Sequence, residues 1–135
     1  MHITYGKHHL DEKDIQAVIK VLKSSNLTQG ITVKNFEKEL KKYFGFNHCS
    51  VLSNGTAALH LAIKSLNLKN NEKILTSPLT FVSTASSILM NNLLPEFVDI
   101  DAKDYTIDLD KTEDALKKNK NIKAIIGVDY AGHPC

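Results

Sequence analysis

The stretch Val51-Leu52-Ser53-Asn54-Gly55-Thr56-Ala57-Ala58-Leu59 reads as a strand end, a small-residue turn and the start of a helix. The first backbone N–H groups of a helix lack intrahelical acceptors, and the macrodipole makes that end positive. Gly55 lets a ligand approach the main chain and Thr56 adds a hydroxyl, so the parts of a phosphate cradle are present. The lysine of a GxxxxGK loop is missing, and the spacing is not GxGxxG. Plain Asn-Gly turn chemistry is the alternative reading.

Three further stretches carry groups of chemical interest. Ser77-Pro78-Leu79-Thr80-Phe81-Val82-Ser83-Thr84 also follows a strand, at the edge where open α/β sheets bind ligands. Its Phe81 is either a platform for a flat ring or core filler. Asn26-Leu27-Thr28-Gln29-Gly30 is a polar loop that either lines a pocket or only connects helices, and Tyr5 is open in the same way. Asp129 and His133, in Asp129-Tyr130-Ala131-Gly132-His133-Pro134, have the chemistry of an acid or base, or are solvated loop residues. Asp99 and Asp101 flank Ile100 without further ligands, the pattern of a solvated strand end, and no metal site is expected.

Helices and strands in alternation must position these groups. Asp11 precedes a face of Ile15, Val18, Ile19 and Leu22 at helical spacing, an amphipathic helix with an Asp N-cap. A second helix is expected after Thr32 as cap, with Val33, Phe36, Leu40 and Tyr43 inward and Gly45 as its stop. Strands are expected over 49–52, 73–76, 95–100 and 122–129. Helices are expected over 57–66, with Leu59, Ile63 and Leu66 aligned, over 80–92, with Val82, Ala85, Ile88 and Leu89 inward, and over 110–118. Short connections between such elements imply right-handed βαβ units and a mostly parallel sheet. The expected organisation is one incomplete α/β domain over 1–135, with a leading segment and two helices over 1–47 and βα units over 48–135. A parallel strand is normally covered by helices on both faces, yet no helix follows the last strand. The expectation is the front part of a longer α/β domain, against a small complete four-stranded sheet.

The chain has 135 residues, enough for one core. Its net charge of +2 gives no electrostatic case for nucleic acid or membrane binding. All 17 basic residues are lysines, so an anion site here must use backbone N–H groups, hydroxyls or lysine rather than a guanidinium fork. Cys49 and Cys135 make neither a disulfide framework nor a zinc cluster. No apolar run approaches the roughly 18 to 20 residues of a membrane span, and Met1-His2-Ile3-Thr4-Tyr5 is no secretory signal, so a cytoplasmic protein is expected.

In chain order, Leu27-Thr28-Gln29-Gly30, Phe36-Glu37, Ser53-Asn54-Gly55-Thr56-Ala57-Ala58-Leu59, Thr80-Phe81-Val82-Ser83-Thr84, Phe97-Val98-Asp99-Ile100 and Val128-Asp129-Tyr130-Ala131-Gly132 resemble the nucleotide-sugar aminotransferases. These are pyridoxal-phosphate enzymes of aspartate-aminotransferase-like fold. The closing Asp-Tyr-Ala-Gly, with Leu-Thr-Gln-Gly at the front, is most similar to the branch that aminates a UDP-linked 4-keto-6-deoxy N-acetyl hexose on the way to pseudaminic acid. The resemblance implies the N-terminal part of the large domain of such an enzyme. It implies that Gly55, Thr56 and Ala57 hold the cofactor phosphate and that Phe81 stacks on the pyridine ring. It also implies that Tyr5, Asn26, Leu27 and Thr28 touch the nucleotide sugar. The implied partners are an amino-acid donor, glutamate being the family's usual one, and a second subunit in a homodimer. Family members are nearly three times this length, and the lysine that binds their cofactor falls beyond position 135. The fragment alone is therefore expected to be inactive, with no catalytic residue of its own. A sugar dehydratase of the same fold, with histidine in place of that lysine, and a non-catalytic binding module are the alternatives.

Overall fold

The computed structural model describes residues 6–135. Two units make up the chain, Met1–Val51 and Leu52–Cys135. In the first, Asp11 caps α1 (Glu12–Leu22) through a complete capping box. Its carboxylate accepts from the N–H of Lys13 at 2.8 Å and of Asp14 at 3.1 Å, and Asp14 accepts from the N–H of Asp11 at 2.9 Å. These bonds satisfy donors that the helix start leaves without acceptors.

α2 spans Ile31–Phe44 and is capped by Gly30 rather than by Thr32 as the sequence suggests. Val33 N–H already donates to the Gly30 carbonyl at 3.2 Å, so Thr32 lies inside the closed first turn. Gly45 stops the helix at a φ of 71°, a left-handed conformation that glycine adopts without a Cβ penalty. The expected inward faces are not buried in this unit: neither helix has a buried residue, with Val18 60%, Phe36 53% and Tyr43 83% exposed.

The second unit begins with α3 (Gly55–Ser65), capped by Asn54. β1 (Lys73–Thr76), α4 (Val82–Leu89), β2 (Leu94–Phe97), α5 (Leu109–Lys118) and β3 (Ile122–Ile126) follow, then a single 3-10 turn at Tyr130–Gly132. The sheet is parallel in the order β2-β1-β3, and Thr76 pairs with both Phe97 and Ile126, so the three strands end level.

Among the described residues three strands form where four are expected, because the 49–52 segment joins no ladder. Val51 N–H donates instead to the Glu37 carboxylate at 3.0 Å. β1 spans its expected range, while β2 and β3 end earlier than expected. Ile100 leaves the sheet to bridge Ile107, and the backbone turns out of β3 after Ile126. α4 is also shorter than its periodicity suggests. Phe81 is still extended at ψ 144°, and Asn92 takes a left-handed φ of 58° beyond the other end.

Alternation along β1 sends neighbouring side chains to opposite faces and so builds two cores. Ile74 packs with Ile63 of α3, Ile88 of α4 and Leu93. Leu75 packs with Val98, Ile107 and Ile122, against Ala115 and Leu116 of α5. Burying each such side chain contributes about 1.5–3 kcal/mol. α4 faces the core with Ser83, Thr84, Ser87 and Ile88, which leaves Val82 and Leu89 outside, contrary to expectation, at 70% and 54% exposure.

Candidate functional site

β1 is the switch point of this sheet, with β2 on one side and β3 on the other, and the covering helices α4 and α5 lie on opposite faces. Ligands of open α/β sheets bind in the crevice outside the carboxyl ends of the strands at such a point. The segment after β1 runs through Ser77 to Phe81. The Thr76 hydroxyl donates to the Ile126 carbonyl at 2.9 Å, the Ser77 hydroxyl accepts from Leu79 N–H at 3.1 Å, and the Thr80 and Thr84 hydroxyls bond at 2.7 Å. These bonds order the turn and leave Phe81 at the head of α4 with its side chain out, at 73% exposure. Within this unit the Phe81 side chain belongs to neither apolar cluster.

At the head of α3, Asn54 Oδ1 accepts from Ala57 N–H at 2.8 Å, so that amide is engaged by the cap. Among the described residues, the amides of Gly55 and Thr56 have no acceptor. Gly55 is exposed, and a Cβ placed on it would meet nothing within 4 Å. The space over the first turn is therefore open, and the local charge is the positive end of an 11-residue helix. No acidic side chain lies in that first turn to oppose an anion.

α3 and α4 pack side by side. The Ser87 hydroxyl lies 3.5 Å from the Thr56 carbonyl, and Asn91 Nδ2 donates to the His60 carbonyl at 3.1 Å. Both pairs advance by four residues, so the helices run parallel with their N-termini on one side. Phe81 lies six residues before Ser87, about 9 Å further along the axis in that direction. Sequence reading did not single out Ser87, Asn91 or His60. Their signal was the polar row Ser83, Ser87, Asn91 at four-residue spacing, on the face where a core helix should be apolar.

Asn26, Leu27 and Thr28 belong to the first unit. There Asn26 lines a cleft of about 420 Å³ together with Lys20, Ser24, Gly30 and Thr32. Leu27, 66% exposed, and Thr28 stand outside the lining of that cleft. Tyr5 lies outside the described residues.

Asp129 accepts from Cys135 N–H at 3.0 Å, and that bond holds its carboxyl below the usual carboxylate range. The Asp104 carboxylate accepts from Thr106 N–H at 2.9 Å and from the Thr106 hydroxyl at 2.8 Å, and His133 Nε2 lies 3.9 Å from it. Asp129, Asp104 and His133 thus order the loops beyond β2 and β3. Among the described residues no three His, Cys, Asp or Glu side chains converge as metal ligands. Nor is any helix there long and apolar enough to cross a membrane.

Residues 8–135 match the DegT/DnrJ/EryC1/StrS aminotransferase family. The chain is 45% identical over 133 residues to the UDP-4-amino-4,6-dideoxy-N-acetyl-beta-L-altrosamine transaminase of Campylobacter jejuni, covering 97% of this chain and 35% of that protein. It superposes on Helicobacter pylori PseC, an aminotransferase of pseudaminic acid biosynthesis, with a TM-score of 0.91 and 34% identity, over 98% of this chain and 35% of that one. A GDP-4-keto-6-deoxymannose-3-dehydratase, solved with PLP and glutamate trapped together, matches with a TM-score of 0.85 and 28% identity, over 91% of this chain and 33% of that one. The chain thus spans about a third of the length of these proteins, with the α/β fold of their family.

Proposed function

The chain belongs to the DegT/DnrJ/EryC1/StrS aminotransferase family, and from that membership we propose that it is the N-terminal portion of a pyridoxal-phosphate enzyme that aminates a 4-keto-6-deoxy nucleotide sugar. A UDP-linked N-acetyl hexose is the favoured substrate, because the Campylobacter relative carries that chemistry in its name. The observation that carries the reading is the open head of α3, whose Gly55 and Thr56 amides are free beside the helix that bears an exposed Phe81.

The residues present fit the cofactor. A phosphate dianion needs donors and positive potential, and a chain without arginine supplies both from the α3 terminus. The Gly55 and Thr56 amides would hold the phosphate, with Ala57 N–H joining them when the Asn54 side chain turns away. The Phe81 ring would lie against the pyridine face and exclude water from it. Tyr5, Asn26, Leu27 and Thr28 are assigned to the nucleotide sugar. When bound, pyridoxal phosphate supplies the electron sink that lets an amino group pass between an amino acid and a sugar ketone. No residue of these 135 is assigned the proton transfer. That role goes to the lysine of the family motif, proposed to lie outside them. A cytoplasmic homodimer with glutamate as donor completes the proposal.

The test is to supply the full-length protein, of which these 135 residues are proposed to be the N-terminal portion, with pyridoxal phosphate, glutamate and a UDP-linked 4-keto sugar and to weigh the sugar product. Replacement of the ketone oxygen by an amino group is the expected result. Loss of a ring hydroxyl without nitrogen gain would assign the chain to the dehydratase alternative. Absence of either, with no cofactor bound, would overturn the reading.

A further inference from the structure

The Asn91 side chain lies just beyond α4 and faces α3. Its Nδ2 donates to the carbonyls of Ser87 at 2.8 Å and His60 at 3.1 Å, and lies 3.2 Å from His60 Nδ1. The two carbonyl acceptors on that nitrogen fix the amide's orientation, since exchanging N and O would set an oxygen against both of them. Asn91 Oδ1 is consequently buried with no partner. Leaving an acceptor unpaired costs stability, so the orientation is set by what the NH2 group gains across the helix pair. One turn earlier, fully buried Ser87 places its hydroxyl against the carbonyl of Thr56, in the first turn of α3.

Apolar packing between these helices, Ile63 with Ile88, is non-directional and tolerates sliding. Hydrogen bonds are directional and specify register. We propose that Ser87 and Asn91 are positioning residues for the cofactor. Asn91 ties α4 to His60 at 3.1 Å and Ser87 lies 3.5 Å from the Thr56 carbonyl, and together they set the height of the α3 amides relative to Phe81, and so match the phosphate cradle to the ring platform. This rests on the cofactor reading above.

The experiment compares pyridoxal phosphate with pyridoxal, which lacks the phosphate, by absorbance titration of the full-length protein. The variants are Ser87→Ala and Asn91→Ala, with Ser83→Ala as the control: buried, on the same helix, one turn earlier. Ser87→Ala should weaken pyridoxal phosphate by about three- to tenfold while leaving pyridoxal unchanged. Ser83→Ala should alter neither. Hydrogen exchange at the Thr56 and Ala57 amides, slowed by phosphate in the parent, should lose that slowing in Ser87→Ala. The mild Ser87 variant keeps the test decisive if Asn91→Ala does not fold. Equal weakening of both ligands, or an effect in Ser83→Ala as large as in Ser87→Ala, would overturn the positioning role and leave the cofactor reading intact. A parent chain that holds pyridoxal phosphate no tighter than pyridoxal would overturn both.

Discussion

Thr76 and Ile126 are paired twice, once as register partners in the ladder and once by a 2.9 Å bond from the Thr76 hydroxyl to the Ile126 carbonyl. The last residue of the central strand is thereby tied side chain to main chain at the carboxyl edge, under the turn that carries Phe81. Thr76→Val keeps the shape, removes this donor and should cost about 1 kcal/mol. Urea unfolding would show it as a lower midpoint with an unchanged slope, while Thr76→Ser should recover most of the loss.

Asn54→Ala removes the side-chain acceptor from the head of α3 and should cost about 1 kcal/mol. It also frees the Ala57 amide for an incoming anion. Added inorganic phosphate should therefore raise the melting temperature of the variant more than that of the parent. Equal increments in a thermal scan would contradict the cradle.

Ile88, fully buried between α4 and β1, and Val82, 70% exposed on the same helix, should respond oppositely to truncation. Ile88→Ala should destabilise by about 2–5 kcal/mol through lost burial and a cavity. Val82→Ala should stay within about 0.5 kcal/mol. Denaturant unfolding of both variants checks the pair.

Asp108 caps α5. The Lys111 N–H at 2.9 Å, with the Lys111 ammonium at 3.2 Å, holds its carboxyl below the usual range. The Thr106 N–H and hydroxyl do the same for Asp104. A depressed folded-state value means that the contribution is complete above the ordinary aspartate value of about 3.9 and fades as the pH falls through the lower folded value. Carboxyl-carbon NMR titrations should place both midpoints below that of an unstructured aspartate. Asp108→Asn should flatten the acid limb of the stability curve.

The 135-residue chain, incubated with pyridoxal phosphate and then borohydride, should acquire no stoichiometric lysine adduct. Intact-mass measurement decides it, and a single fixed site among the 17 lysines would show that the covalent lysine is already present.

Local chemistry made much of this fold readable. Asp11 and the Asn54-Gly55 turn announce helix starts, Gly45 announces a stop, and the alternation from residue 55 onward yields the parallel sheet. What failed depended on partners distant in sequence. The 49–52 segment has strand-like residues, but a strand exists only with a neighbour, and Val51 found Glu37. The apolar faces of α1 and α2 have helical spacing, yet spacing does not say what covers them. Gly55, Thr56 and Phe81 were legible as candidates because turn and edge chemistry is local. Ser87 and Asn91 were not, because their meaning lies in the facing carbonyls of another helix.

Leu94 and Val98 N–H both donate toward β1, so the alternate N–H positions of β2, Pro95 among them, face away from the sheet. Proline has no hydrogen to offer there, which blunts that margin against recruiting another strand. β3, the opposite margin, reads Ile-Lys-Ala-Ile-Ile and carries no such block. Addition of a further strand is thus disfavoured on the β2 flank and leaves the β3 flank as the side on which this sheet can be extended.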